Sequence, residues 1–550
     1  MTTLAESDVT IKITGAAKPL ENNILLTIGS LQTNDLKGFF FDNQINRAMK
    51  KSTQALGFYH AQYSYQINQD TLSIDIEPGK VVTWGPAHIQ VSSDVALPRE
   101  IQAVIDDHPF TPGKAINHNS YDAYKQRLFD TCLLFGFQGA TFQHNELRIN
   151  LDSDLATPNI EIKTGIRYKV ADLHYTGTRL TPQLLNSLAT MQKSDWYSRS
   201  LITKQYKSLL DTGYFKSVEI QPELDHQHGL VNITTTLEDA PSNQFLIGAG
   251  FGTDTGPRIT LRWTKPLVNR YGHSLYSDLA VSKPVQELTA SYQIPVGHPL
   301  ERYVEWATGV QNKNVEDTES LRLTTGLNLH SRHNNWQQII GVNLESEAYS
   351  QGEEDTQKTT YVLPTASWSY AAINPENEHS YRFLTNIQAS TEDLYSDTNF
   401  FRITAGIKYF LPLTTTHALI TRFKLGRLFN DDFDQVPSSK RFFTGGDQSI
   451  RGFQYESISP RDSNGDLIGG DHLNIASLEY RWLFKPQWAV AAFVDTGRVY
   501  FESSEPFRTG AGLGIRWLSP VGQISIDFAV PVNDDEYDGF QIHISMGPSI

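Results

Sequence analysis

The sequence predicts small α+β domains followed by an all-β transmembrane barrel of about 16 antiparallel strands. Three observations lead there. A helical stretch closed by a Gly-aromatic pair and followed by alternating strands recurs three times before residue 240. From residue 243 the chain turns to long period-two alternation, apolar on one face and polar or small on the other. No apolar run approaches the ~18 residues that a spanning helix needs, so a membrane would have to be crossed by strands.

The recurring unit covers residues 43–56 with Gly57-Phe58, 121–135 with Gly136-Phe137, and 201–211 with Gly213-Tyr214. The three glycines stand 79 and 77 residues apart, a domain period and not a solenoid period. Each is placed to end its helix in a left-handed conformation, with the aromatic folding back onto the core. Two strands follow each pair: 61–67 and 71–76, then around 140–142 and 147–151, then 217–222 and 231–237. A short strand (9–14, 88–91, 172–175) and a first helix open each unit, and Thr181-Pro182 suits a first helical turn. The order strand, helix, helix, strand, strand gives a small sheet covered on one face, with an edge open to an incoming extended peptide. The expected domains are 8–85, 86–168 and 169–240. Plain spacers are the other use of such a series.

The barrel is expected over 243–550. Residues 285–295 set Glu287, Thr289, Ser291 and Gln293 against Leu288, Ala290, Tyr292 and Ile294, and 523–530 set Ser525, Asp527 and Ala529 against Ile524, Ile526, Phe528 and Val530. A soluble sandwich would need a second apolar face, which these strands do not offer. At about 19 residues per strand and connection, the roughly 308 residues make about 16 strands, an even number as bacterial barrels take. Trp263, Tyr276, Trp368, Tyr409, Tyr480, Trp482 and Trp517 suit interfacial girdles. The first strand carries Gly248, Gly250 and Gly252 on one face, and glycine weakens a strand. It should meet the last strand near Phe540, Ile542, Ile544 and Gly547, where Pro548 cuts the ladder short. A join with few ladder bonds opens sideways at low cost.

Between the later strands lies Arg441-Phe-Phe-Thr-Gly-Gly-Asp-Gln-Ser-Ile-Arg-Gly-Phe453, a tight reversing loop at Gly445 and Gly446 that presents Arg451. Ile450 and Phe453 flank it as apolar pegs, and Gly452 allows close backbone approach. Phe493-Val-Asp-Thr-Gly497 puts a carboxylate inside the longest apolar run, which is costly unless a cation meets it. Arg451 is the expected cation for Asp495, with Asp527 a second candidate partner. Reversing both charges of the Arg451–Asp495 pair is expected to restore what either single reversal destroys.

With 61 Asp and Glu against 46 Lys and Arg, nucleic acid is not an expected partner. The single Cys132 sits beside apolar neighbours and reads as packing, not chemistry. No metal-binding His spacing, nucleophile elbow or phosphate loop is present, so no enzyme activity, cofactor or metal is expected. Asp225-His-Gln-His228 and Asp462-Ser-Asn-Gly-Asp466 read as solvated turns. Residues 1–6 lack a basic start and an apolar core, so no secretory signal is expected there, and a trimmed mature form and a cytoplasmic protein both fit.

Taken together, these residues resemble a known family. The three N-terminal units are similar to POTRA domains, and Ile450-Arg-Gly-Phe453 matches the invaginating loop motif of the outer-membrane assembly and translocation superfamily that includes BamA and the two-partner secretion pores. Phe493-x-Asp-x-Gly497 matches the strand motif that the loop arginine meets in the lumen. Gly510-x-Gly-x-Gly-x-Arg516, Ser519-Pro520, Asp527 and the segment Gly539 to Pro548 resemble the end of the same barrels. Three such domains ahead of the barrel resemble the TamA type, the outer-membrane subunit of the translocation and assembly module, although Ile550 departs from the terminal Phe or Trp common there. The resemblance implies a barrel in the outer membrane with POTRA domains in the periplasm. It implies insertion of nascent outer-membrane proteins, autotransporters among them, through the seam between first and last strands. A TamB-like partner anchored in the inner membrane would dock on the POTRA domains. A two-partner-type pore for a dedicated substrate and a component of lipid transport between membranes are the alternatives.

Overall fold

The computed structural model describes residues 9–29, 36, 38, 40–374, 378–501, 505–519, 522–532 and 539–547. Two compact units are formed, one from Met1–Thr176, Thr190–Lys207 and Glu219–Thr236, the other from Gly177–Ala189, Ser208–Val218 and Leu237–Ile550.

The first α+β domain runs β1 (Thr10–Thr14), α1 (Lys18–Ile28), α2 (Phe41–Ala55), β2 (Gln62–Asn68) and β3 (Thr71–Glu77). β3 is central, parallel to β1 and antiparallel to β2. Its inward Leu72, Ile74 and Ile76 meet Leu20 and Ile24 of α1 and Ile45 and Met49 of α2, all essentially buried. The second domain contains β4 (Thr83–Trp84), β5 (His88–Ser92), α3 (Arg99–Asp106), α4 (His118–Leu134), β6 (Thr141–Asn150) and β7 (Leu155–Lys163). β7 pairs with β4 and β5 in parallel and with β6 antiparallel. In the third, β8 (Lys169–Thr176), α5 (Pro182–Ser187), α6 (Arg199–Leu210), β9 (Phe215–Asp225) and β10 (Leu230–Asp239) give the strand order β8-β10-β9.

Gly57, Gly136 and Gly213 all have positive φ, 88°, 94° and 69°, so each helix ends in the conformation that glycine reaches without strain. Two local details depart from expectation. The two short strands around 140–142 and 147–151 are one continuous β6, with a register shift between Phe142 and His144, and its partner is the later β7. The bulge absorbs the break in alternation that made the run look like two strands. Thr83–Trp84, ahead of the expected 85/86 boundary, belongs to the second domain's sheet because Val82 and Trp84 bury into that domain's core with Phe110, Leu128 and Cys132.

The barrel closes from β11 round to β26 as sixteen strands. The first eight are β11 (Gln244–Gly252), β12 (Gly256–Lys265), β13 (Ser274–Val281), β14 (Val285–Pro295), β15 (Arg302–Val315), β16 (Thr318–His333), β17 (Trp336–Gln351) and β18 (Gln357–Ile373). The rest are β19 (Ser380–Ser390), β20 (Phe400–Pro412), β21 (His417–Asn430), β22 (His472–Lys485), β23 (Trp488–Tyr500), β24 (Arg508–Ser519), β25 (Gly522–Pro531) and β26 (Gln541–Gly547).

Alternation sorts the faces. On β23, Ala489, Ala491, Phe493 and Asp495 are buried inward while Trp488, Val490 and Val494 are exposed outward. Ile340, Val342 and Leu344 repeat this outward pattern on β17, as a lipid-facing wall requires. Tyr480, Trp482 and Trp517 lie exposed on the same outer surface. At the turn between β12 and β13, Thr181 N–H donates to Arg270 O (3.0 Å) and the Tyr214 hydroxyl to Gly272 O (2.6 Å).

Residues 431–471, between β21 and β22, fold inside the cylinder. Bridges Phe442↔Gly470, Thr444↔Ile458 and Arg461↔Leu467 give this loop its own structure. Val436, Phe442, Ile450, Phe453 and Ile458 pack against wall residues such as Tyr361, Leu428, Leu473 and Val499 to make an apolar core within the lumen.

Candidate functional site: the lumen loop and the barrel seam

Ile450 and Phe453 are 0% and 1% exposed, so both pegs are seated in the lumen core. Gly452 has φ 99°, and a Cβ there would meet the Val530 and Pro531 backbone at 3.1–3.3 Å. Opposite, a Cβ on Gly510 would stand 1.7 Å from Arg451 O. The small inward face of β24 is therefore a trough for the loop backbone. Its neighbours Gly512 and Gly514 leave space for the Phe493 ring and the Asp527 carboxylate.

Held this way, Arg451 is buried with its guanidinium 3.4 Å from the Phe493 ring centroid. Its Nε and Nη2 donate to Asp495 Oδ2 (2.6 Å) and Oδ1 (3.0 Å), a bidentate pair. The Arg451 backbone N–H also donates to Asp495 Oδ2 (3.1 Å), and Ser477 Oγ donates to Oδ1 (2.5 Å). Asp527 stands farther away, 3.4 Å from Nη1. Burial alone would lower the Arg451 pKa; hydrogen bonding and charge from Asp495, then Glu479 and Asp527, outweigh it and keep the guanidinium firmly protonated.

Glu479 was not singled out by sequence, yet Arg451 Nη1 donates to its Oε2 at 2.8 Å. Arg516 closes the set, donating to Glu479 Oε2 (2.9 Å) and Asp527 Oδ1 (2.5 Å), and Arg481 holds Glu479 Oε1 (2.8 Å). Arg451 thus faces three carboxylates, not one. Charge reversal at Arg451 and Asp495 is therefore not expected to restore function, because an acidic residue at 451 would face Glu479 and Asp527. Both Glu479 and Arg516 occupy inward positions of alternating strands; a charged pair on two such strands was the available signal.

The loop has a second anchor on the far wall. Lys440 Nζ donates to Glu345 Oε2 (2.8 Å), and the Tyr361 hydroxyl bridges Glu345 (3.0 Å) and Glu347 (3.2 Å). Between the anchors, Arg441 donates to Val436 O (2.8 Å), Asp434 O (3.0 Å) and Ile468 O (3.1 Å), tying the two limbs of the loop together.

At the seam, β11 pairs with β12 along its full length, whereas the ladder with β26 is, among the described residues, Gly252 opposite Ser545. Thr253 N–H donates to Ile544 O (3.0 Å) just beyond. In this register Gly250 is level with Gly547, the last described residue of β26, and the position level with Gly248 lies outside the described residues. Ile542, Ile544 and Gly547 pair with β25. Phe540 precedes β26 and stacks on Phe528, ring centroids 5.8 Å apart, away from the expected junction. The described meeting point joins the last residue of β11 to the interior of β26. Pro520 and Pro548 lie outside the described residues.

Among the described residues no cluster of His, Cys, Asp and Glu is arranged to hold a metal ion. Asp225 and Asp462 instead cap their own turns through backbone N–H groups.

Three family models match this chain: the Omp85 superfamily domain over residues 242–550, the POTRA domain described as TamA domain 1 over 10–78, and a POTRA model described as surface antigen variable number repeat over 168–239. The outer membrane protein assembly factor BamA of Nitratidesulfovibrio vulgaris is 34% identical over 162 residues, 28% of this chain and 20% of that protein. BamA of Neorickettsia risticii is 19% identical over 397 residues, 66% of this chain and 52% of that protein. The chain thus spans a fifth and about half the length of these two relatives. BamA of Neisseria meningitidis serogroup B is 19% identical over 563 residues, 87% of this chain and 69% of that protein. The crystal structure of BamA from Haemophilus ducreyi lacking POTRA domains 1–3 has a TM-score of 0.68 at 17% identity, covering 84% of this chain and 99% of that one, a likeness of fold. With POTRA domains ahead of a closed sixteen-stranded cylinder that the superfamily model matches from residue 242 onward, the chain belongs to the Omp85 superfamily of outer-membrane assembly and secretion barrels, its POTRA domains in the periplasm.

Proposed function

We propose that this protein is a TamA-type assembly factor that inserts nascent outer-membrane proteins, autotransporters among them, through the seam between β11 and β26. The observation that carries the proposal is the asymmetry at β11, which has a full ladder on one side and one ladder pair among the described residues on the other. An edge so nearly free offers backbone N–H and C=O groups to a client strand, and its few bonds are cheap to part. No covalent chemistry is needed: the edge templates strands that would otherwise enter the bilayer with unpaired backbone. The match of residues 10–78 to a TamA-type POTRA model supports a TamB-like, inner-membrane-anchored partner that docks on the POTRA domains.

The test is a disulfide across the join, between cysteines at Gly252 and Ser545, formed in the full chain in vesicles. Locking should stop client insertion and spare ion conduction through the lumen. Continued insertion through a locked barrel overturns the proposal and favours a two-partner-type secretion pore. Pull-down of envelope proteins with the full chain tests the partner; recovery of one very large inner-membrane-anchored protein is the expected result, and a catch containing only soluble chaperones counts against TamB-like docking.

A further inference from the structure

The side chains around Asp254 and His543 cross the seam where the backbone ladder is short. Asp254 lies in the turn between β11 and β12, its side chain 8% exposed. Its Oδ2 accepts the backbone N–H of Asp447 in the lumen loop (2.7 Å). Gly446 makes this approach possible, since a Cβ there would stand 2.4 Å from Asp254 Oδ2. Across the join, the inward-facing His543 of β26 is 3% exposed. Gly452 N–H of the loop motif lies 3.0 Å from His543 Nε2.

That last bond fixes the imidazole. An amide N–H can only donate, so Nε2 must present its lone pair and the ring proton of the neutral form sits on Nδ1. Nδ1 is buried without a hydrogen-bond partner, and Asp254 Oδ1 stands 3.6 Å from it, a short step from a full hydrogen bond. Asp527 is level with His543 on β25, but its oxygens are engaged by Arg516 and Arg451. Asp254 is therefore the acceptor that Nδ1–H faces across the join.

We propose that Asp254 and His543, each tied to the lumen loop, form a side-chain clasp that reinforces the single ladder pair described at the seam and sets how readily β11 and β26 part. First-strand turn, last strand and loop are joined at one point: Asp254 to Asp447, His543 to Gly452, and Asp254 facing His543. The Ile450-Arg-Gly-Phe453 motif is thereby coupled to the seam through Gly452, so a disturbance of the loop reaches the join without crossing the barrel wall. This inference rests on the seam being the working part of the barrel, as proposed above.

The experiment is hydrogen exchange, read by mass spectrometry, on the full-length protein in vesicles, at the Thr253 and Ile544 amides that bond across the join. His543→Gln keeps an acceptor for Gly452 N–H and should exchange within about threefold of the parent protein. His543→Lys presents only donors and should exchange roughly tenfold faster or more, as should Asp254→Ala, whose turn position spares the barrel wall. Heat-dependent gel mobility reports whether each barrel is folded, and Asp254→Ala carries the test if His543→Lys does not fold. Parent-like exchange in Asp254→Ala overturns the clasp, and so does His543→Gln exchanging as fast as His543→Lys. Client insertion is measured separately. A loosened join with unchanged insertion removes the proposed function and leaves the clasp, whereas an unchanged join removes the clasp alone.

Discussion

Replacing Arg451 by Ala removes two short hydrogen bonds to Asp495, one to Glu479 and a longer one to Asp527, and leaves a fully buried Asp495 carboxylate behind. Charge-assisted bonds contribute about 1.5–3 kcal/mol each, and breaking a buried ion pair by removing one partner costs about 3–5 kcal/mol. The lower end applies here. Arg516 still neutralises Glu479 and Asp527, and Arg422 Nη2 stands 3.7 Å from Asp495 Oδ1. The expected destabilisation of the loop is about 3 kcal/mol, a roughly hundredfold increase in exchange of the Ile450 and Phe453 amides if the loop opens locally. Asp495→Asn leaves Arg451 two carboxylates and should cost about 2 kcal/mol. The double variant should cost clearly less than the sum of the two, because the sites are in direct contact. Exchange at these amides that stays within threefold in Arg451→Ala, or additive losses in the double variant, would refute the buried network as the loop's main tether.

Three further outcomes follow from the geometry. Gly510→Ala should displace the loop backbone, because its methyl would overlap Arg451 O; the expected loss is about 1–3 kcal/mol, measured by denaturant unfolding, whereas Gly406→Ala, whose methyl would meet nothing nearer than Phe423 O at 3.6 Å, should leave the loop unmoved. Lys440→Met alone should destabilise by roughly 3 kcal/mol because buried Glu345 keeps only the longer Arg322 contact (3.9 Å) and the Tyr361 hydroxyl, while Lys440→Met with Glu345→Leu should recover most of the loss; the same unfolding assay separates the two. Burial and then the Asp254 carboxylate push the Asp447 carboxyl up from 3.8 to about 7, with His543 and Tyr455 the other titratable groups beside it. The folded protein therefore binds a proton that the unfolded chain has released between these values, so this contact is firmest below about pH 4 and weakens as pH rises through 7. Exchange at the Asp447 amide should rise across that window, and Asp447→Asn should flatten the profile.

Which features were legible in the sequence follows from the solvent each face meets. Strand alternation over 285–295 and 523–530 is readable because one face meets lipid and the other the lumen, and the closed sixteen-stranded cylinder bears it out. Asp495 stands out because a carboxylate inside an apolar run has no ordinary explanation. Glu479 and His543 are given no role by sequence, and Arg516 none beyond its motif, because a polar residue on an inward position of an alternating strand is what any water-filled barrel displays. Their burial depends on a loop arriving from elsewhere in the chain. The second domain shows another limit: one bulge at Phe142 and His144 interrupts the period, and local pattern then splits a single strand in two. Register between the first and last strands depends on the stagger accumulated around the whole ring, which no local segment records.

The short join between β11 and β26 also has a consequence for the surrounding lipid. Along residues 244–251 the donors and acceptors on the side away from β12 have no ladder partner on β26 among the described residues. Hydrocarbon cannot satisfy such groups, each of which costs several kcal/mol when left dry. Whatever borders this flank, be it water, headgroups or chain outside the described residues, has to satisfy them. This stretch of the perimeter thus makes a demand on its surroundings that the strands laced on both sides do not.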